Sequence, residues 1–307
     1  LVLAGMLWTD NTETGWRAVQ VSMSFLLFPF VAQALKYSGF TRSQLGLSIA
    51  ISTLVGLVVM VTDTLTNGLE NELMRSITGS RLSLPFIHRA YFMNYIVFVI
   101  RLWLTIKRKA AWIEWIIVGI LAIAFWLLQG RMNYIALGVL IPFTIWFGVK
   151  SNQQNSLFGL GFVVVLIASG FASGLIPTRF NAAALEKEST GIETTNPEHA
   201  SRRFLWETSL TVIKTQPILG VGTGDVHDEL DARYVEMGFE KGIDHSFNSH
   251  NQYLQSLLTF GPLGLLMLLA IFGFPFLKAI QNKDLLLGLW LAYYGMVIST
   301  ESYFDRF

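Results

Sequence analysis

Eight apolar stretches, each about as long as a bilayer is thick, set the limits on what this 307-residue chain can become. A helix needs about 20 predominantly apolar residues to cross the hydrocarbon core. The stretches at 17–37, 44–62, 88–106, 112–130, 133–150, 156–176, 253–278 and 284–300 meet that requirement. Hydrocarbon offers backbone polar groups no water, so a spanning segment is either a helix or a strand of a closed barrel. These runs are too long for strands and lack the alternation a barrel needs. The expected fold is therefore all-α, a polytopic transmembrane helix bundle. Residues 1–8 look like the tail of an earlier span, and the chain stops just after another, so the sequence reads as part of a longer protein. Charged residues make up 14% of the chain, against about 25% in soluble domains, which argues against a soluble enzyme and against disorder. The net charge of +1 argues against a nucleic-acid partner, and the absence of cysteine excludes disulfides and thiolate metal sites.

Lys and Arg in short loops orient such a bundle. Numbering the span ends alternately gathers Lys36, Arg42, Lys107, Arg108, Lys109, Lys150, Lys278 and Lys283 on one side, with Asp284 the one acid among them. That side is expected to be cytoplasmic. The other carries Asp10, Glu13, Asp63, Glu70, Glu72, Glu301 and Asp305, with Arg75, Arg81 and Arg89 intermixed. A polar insert on this outer side divides the chain into an N-terminal transmembrane bundle (1–176), a loop domain (177–252) and C-terminal transmembrane helices (253–307). The insert holds seven Lys or Arg against twelve Asp or Glu, a charge of −5, leaving fifteen against nine, or +6, elsewhere. All five histidines, His88, His199, His227, His245 and His250, fall on or near the outer side. That placement suits chemistry at this face, and it equally suits imidazoles that simply avoid hydrocarbon.

Inside the insert, Ser201 is positioned to cap a helix over about 202–215. Leu205, Trp206, Leu210 and Ile213 recur at roughly helical spacing, as on a helix lying against a bundle or a lipid surface. Pro217 stops that helix. A glycine run, Gly220-Val221-Gly222-Thr223-Gly224, follows, then a polar helix from about Asp225 to Met237 with Gly238 suited to its C′ position. The glycine run superficially resembles a phosphate loop but lacks the preceding strand and the GK[ST] ending. A tight turn between helices accounts for it better. The span 253–278 is interrupted by Gly261-Pro262, which predicts a kink or a short re-entrant start.

His250-Asn251 stands where the insert re-enters the membrane. Gly261 and Gly264 let the entering helix pack closely and hold that histidine at a rim. Arg131 sits in the tight outer turn Gly130-Arg131-Met132-Asn133, and Arg202 and Arg203 open the insert helix. Taken singly, each arginine serves as well for a lipid headgroup or a surface ion pair. Together they fit a polyprenyl diphosphate, because guanidinium gives forked, charge-assisted hydrogen bonds to phosphate. A leaving diphosphate needs its developing charge stabilised, and an acceptor sugar hydroxyl needs a base, for which His is the commonest choice.

Residues 250–264, HNQYLQSLLTFGPLG, resemble the signature of the O-antigen ligase and O-antigen polymerase superfamily, with His250, Asn251, Gly261 and Gly264 in place. The stretch SRRFLWETSLTVIKTQPILGVGTGD resembles that family's Arg, Trp, Pro and Gly-x-Gly-x-Gly segment, placing the family arginine at Arg202 with Arg203 one residue away. QGRMNYIAL resembles the outer turn that carries another family arginine, here Arg131. STESYFDRF resembles its Thr-Glu-Ser segment, placing Glu301 with Arg306 as a further candidate, and HRAYFMNY at 88–95 is similar to an element seen in some members. The resemblance implies an inverting glycosyltransferase that uses an undecaprenyl-diphosphate-linked glycan and needs no metal or other cofactor. It would work in the bacterial inner membrane with its active site facing the periplasm. His250, Arg202 and Arg131 would be catalytic, and Arg203, Asn251 and Glu301 would bind substrate. The first expectation is an O-antigen ligase acting on lipid A-core. The alternatives are an O-antigen polymerase or a protein O-oligosaccharyltransferase and, from another class, a lipid-linked glycan transporter or an assembly scaffold.

Overall fold

The computed structural model describes residues 1–39, 41–77, 89–105, 119–121, 123–124, 132–139, 202–239, 242–243 and 246–304. The expected spans at 112–130, 133–150 and 156–176 lie wholly or largely outside these residues, as do Ser201, His88, His199, His245, Arg131 and Arg306; the few described residues of the first two are helical. Among the described residues the ordered elements are helices: α1 (Val2–Gly5), α2 (Thr12–Tyr37), α3 (Arg42–Ile77), α4 (Arg89–Thr105), α5 (Arg202–Thr215), α6 (Val226–Glu236), α7 (Gln252–Gln281) and α8 (Leu285–Val297). Three carry stretches long and apolar enough to cross a membrane, Thr12–Leu35, Gln44–Thr62 and Gln252–Gln281. The helices α4 and α8 coincide with expected spans; α8, at 13 residues, is shorter than its own. Helix α3 runs fifteen residues past the expected span end at 62, because the polar stretch that follows contains no proline to stop it.

The chain forms two compact units. One comprises residues 39–184 and 276–294. Its core is Ala50, Leu57 and Met60 of α3 against Phe92, Met93, Ile96 and Val99 of α4, with Leu121, Ala124 and Tyr134. Two polar groups are satisfied inside it: Tyr293 donates its hydroxyl to Asn133 Oδ1 at 2.6 Å, and Asn133 Nδ2 donates to Met93 Sδ at 3.1 Å.

The other unit comprises residues 1–38, 185–275 and 295–307, and carries the polar insert. Helix α5 spans the expected residues, and Leu205 and Ile213 of its expected apolar positions meet the core. Leu205, Thr208, Ser209 and Val212 are buried, whereas Leu210 is exposed. The hydroxyls that make this possible bond back to their own helix, Thr208 to Phe204 O at 2.9 Å and Ser209 to Leu205 O at 2.7 Å. Leu205 and Val212 join Val221, Val226, Leu230, Tyr234 and Leu258 in one cluster. Helix α6 ends as expected, with Gly238 just past its C-cap at φ 66°.

Helix α7 is broken at Gly261, whose φ of 62° and ψ of −160° lie in a region that only glycine occupies readily. The break is a reversal. A Cβ on Gly264 would press on the carbonyl oxygen of Ser256, although eight residues of unbroken helix would separate them by about 12 Å. Residues 252–260 therefore form a short arm laid back against the start of 262–281. The kink expected at Gly261-Pro262 is present. Pro262 has no N–H for the carbonyl of Leu258; Val221 N donates to that carbonyl instead at 2.9 Å, and Gly222 N to Thr259 O at 3.1 Å. Backbone meets backbone here, and a Cβ on Gly220 would stand 2.6 Å from Gly261 N. The tight-turn reading of the glycine run thus gains a specific content: it fills the acceptors left open by the helix break.

Candidate functional site

The short arm of α7 begins at an asparagine cap. Asn251 Oδ1 accepts hydrogen bonds from Tyr253 N (3.0 Å) and Leu254 N (3.3 Å), two of the first donors that a helix leaves unpaired. His250 comes just before that cap with φ 45°, an uncommon backbone for a non-glycine residue. Three contacts hold it there. Its N–H donates to Asn248 Oδ1 at 3.0 Å, its ring meets Phe247 edge-on at 5.8 Å, and its Nδ1 lies 3.3 Å from Glu301 Oε2.

Glu301 is the hub. It is 6% exposed, and its other oxygen lies 3.9 Å from Arg202 Nη2. One buried carboxylate thus joins two residues that the sequence singled out separately. An ionised carboxylate only accepts, so in this contact the Nδ1 of His250 is the donor and Nε2 faces away from the carboxylate. Arg202 opens α5 with 44% of its side chain exposed, and so reaches both the carboxylate and the surroundings. Arg203 follows in the same helix turn, and its side chain falls outside the described set, as Arg131 does entirely.

The segment after α8 carries Glu301 and is strapped to the start of α7. Gln252 N donates to Ile298 O at 2.9 Å, Phe304 N to Gln252 Oε1 at 2.8 Å, and Asn251 N to Ser302 Oγ at 3.2 Å. Tyr253 donates its hydroxyl to Gly295 O at 2.8 Å. Beneath His250, fully buried Ser249 bonds Gln255 Oε1 through its N–H (3.2 Å) and meets it again through Oγ (2.7 Å), while that Oγ also lies 3.2 Å from Ser302 Oγ. These supporting residues were not singled out from sequence, yet a signal existed. Gln252, Gln255, Ser256 and Thr259 fall at i, i+3, i+4 and i+7 in an otherwise apolar run, a polar stripe on one helical face.

That stripe lines a cavity of about 460 Å³ between α2 and the two arms of α7. Thr223 adds another hydroxyl, while Val19, Met23, Leu26, Met267, Leu268 and Ile271 make the remaining wall largely apolar. The shape suits a molecule with a hydrocarbon body and a polar end. Among the described residues no three His, Asp or Glu side chains group as metal ligands would. Chemically, the constellation offers an imidazole oriented by a carboxylate, an arginine on the same carboxylate, and an apolar cavity two residues along the chain.

A family model described as O-antigen ligase matches residues 116–269, half of the chain. The matched stretch contains Arg131, Arg202 and His250 and ends before Glu301. No curated protein sequence matches the chain.

Proposed function

The chain belongs to the O-antigen ligase family, and from that premise we propose that it transfers a glycan from an undecaprenyl-diphosphate carrier to an acceptor hydroxyl, with lipid A-core as the acceptor. The observation that carries this reading is the His250–Glu301–Arg202 constellation. His250 Nε2 takes the proton of the acceptor hydroxyl as its oxygen attacks the anomeric carbon. The bond from that carbon to the diphosphate oxygen breaks, and its electron pair leaves with undecaprenyl diphosphate. A single displacement inverts the anomeric centre. Glu301 holds the imidazole in the required tautomer and stabilises the imidazolium that forms. Arg202, together with Arg131 and Arg203, supplies the positive charge that the leaving diphosphate needs, so the route calls for no metal. Asn251 fixes the arm that carries the base. The cavity against α2 takes part of the donor's hydrocarbon chain. The Lys and Arg asymmetry of the loops supports a site on the periplasmic side of the inner membrane, with residues 177–252 outside.

The test is transfer by purified protein from lipid-linked donor to defined acceptors, with leaflet exchange of the donor followed in parallel. His250→Ala is expected to lose transfer while remaining folded, and undiminished transfer would remove the base role. Arg202→Lys is expected to lose activity because it keeps the charge without the fork. Full activity in that variant would show forked phosphate recognition to be unnecessary. Donor movement between leaflets without turnover would favour a transporter, and neither activity a scaffold. Activity toward lipid-linked repeats or protein Ser and Thr, in place of lipid A-core, would assign a polymerase or a protein glycosyltransferase.

A further inference from the structure

The glycine run and the aspartate that ends it make a continuous series of bonds in two directions. Val221 N and Gly222 N go to the carbonyls of Leu258 and Thr259 at the far end of the short α7 arm. Thr223 donates its hydroxyl to Val2 O at 2.8 Å, and Gly224 N donates to Thr9 Oγ1 at 3.1 Å. Asp225, 9% exposed, accepts from Asp10 N at 2.9 Å and from Asn11 N at 2.7 Å with its two oxygens. Five consecutive residues thus hold the short arm on one side and the segment leading into α2 on the other. Asp225 occupies the N-cap position of α6 yet makes no side-chain cap to that helix. A residue type that ordinarily caps its own helix is instead committed to a backbone more than 200 positions away in sequence.

We infer that residues 221–225 are a clasp that positions His250, and that Asp225 is the positioning residue that closes it. The inference rests on the reading of His250 as the base. The arm 252–260 is one short, rigid helix, held by the clasp at one end and carrying His250 at the other. Movement of the clasped end passes to the imidazole and to its 3.3 Å contact with Glu301. Misplacement of a reacting group by about 1 Å costs about 100-fold in rate.

The experiment is a double-mutant cycle on the purified full chain, with transfer rates taken per folded molecule and kcat and donor KM determined separately. Asp225→Ala is expected to lower kcat by about 100-fold with donor KM changed less than about threefold. Thr9→Val removes the acceptor of Gly224 N at nearly constant volume. It is expected to repeat the pattern at about 10-fold, and it decides the matter if Asp225→Ala does not fold. In the His250→Ala background, Asp225→Ala is expected to lower the residual rate less than about twofold, because a residue acting through His250 has nothing left to act on. Wild-type kcat in Asp225→Ala or Thr9→Val overturns the clasp. So does a full 100-fold multiplication on His250→Ala, which marks a merely structural role. In both cases the reading of His250 stands if His250→Ala alone leaves only a small residual rate. Full activity of His250→Ala overturns that reading first, and the clasp with it.

Discussion

Replacing Glu301 with glutamine removes one charge and almost no volume. Its effect follows from a contact that nothing in the local sequence announces. As the acceptor proton moves to His250, positive charge grows on an imidazole whose Nδ1 lies 3.3 Å from Glu301 Oε2. Two full charges at that distance attract by about 5 kcal/mol at the effective dielectric of about 20 that suits such sites. A proton half transferred in the transition state realises about half of this, or about 2.5 kcal/mol. The His250 side chain is 24% exposed, and solvent reduces the value further, to about 2 kcal/mol. At 1.36 kcal/mol per factor of ten, Glu301→Gln is expected to lower kcat by about 30-fold. The interaction grows only in the transition state, so acceptor KM stays within about twofold. The assay is initial-rate transfer over a range of acceptor concentrations at saturating lipid-linked donor, with folded protein quantified for each variant. A kcat within about threefold of wild type would refute the reasoning, because the carboxylate would then not face the developing charge.

Gly261→Ala is expected to destabilise the protein by about 3 kcal/mol or more, since alanine enters a glycine-only backbone region and its Cβ presses on the carbonyl of Ile218; thermal unfolding in detergent measures this. Asn251→Ala is expected to lose about 1 kcal/mol of stability as the cap of α7 disappears, while Asn251→Ser, which also caps, stays within about 0.5 kcal/mol of wild type by the same measurement. Asp231 of α6 is held above the usual carboxylate value of 3.8 by burial, with Asp228 adding to the shift and His227 opposing it. A raised folded-state pKa gives stability that is complete below the unfolded value and is lost as pH rises through the folded one, so at neutral pH the ionised form is a burden. Asp231→Asn is therefore expected to melt higher than wild type at pH 7, with the difference shrinking toward pH 4; equal melting temperatures at pH 7 would count against it.

Local signals carried much of this fold into the sequence. Gly238 after a polar helix and Gly261-Pro262 inside an apolar run each state a backbone constraint that no neighbour has to supply, and both are where the spacing put them. Helix α5 begins and ends as read, and Leu205 and Ile213 of the expected face meet the core, but Leu210 is exposed while Thr208 and Ser209, satisfied by their own helix, are buried. Hydrophobicity alone ranks leucine above serine and threonine, so those two positions were not legible from periodicity. The site was legible as separate pieces. Arg202, His250 and Glu301 could each be named, but their meeting through one carboxylate spans 51 positions from Glu301 to His250 and depends on the strap that follows α8. Likewise the glycine run could be recognised as a turn, while the carbonyls it fills are open only because the helix breaks at Gly261-Pro262.

The buried carboxylate also bears on which parts of the chain make the site. Burying a charge is expensive unless it is paired and hydrogen-bonded, and Glu301 has a histidine and an arginine as partners in a chain with few charges to spare. Both partners lie within the family-matched stretch 116–269, and Glu301 lies outside it. Without the segment 295–304, His250 would lose the group that fixes its tautomer, and Arg202 would lose the carboxylate that draws it to the histidine. The same segment also caps Gln252 and Asn251, so removing it would loosen the arm that carries the base. The matched stretch 116–269 therefore holds two members of this constellation but not the third. What joins Arg202 to His250 is a carboxylate supplied from beyond that stretch, on a segment strapped to the start of α7.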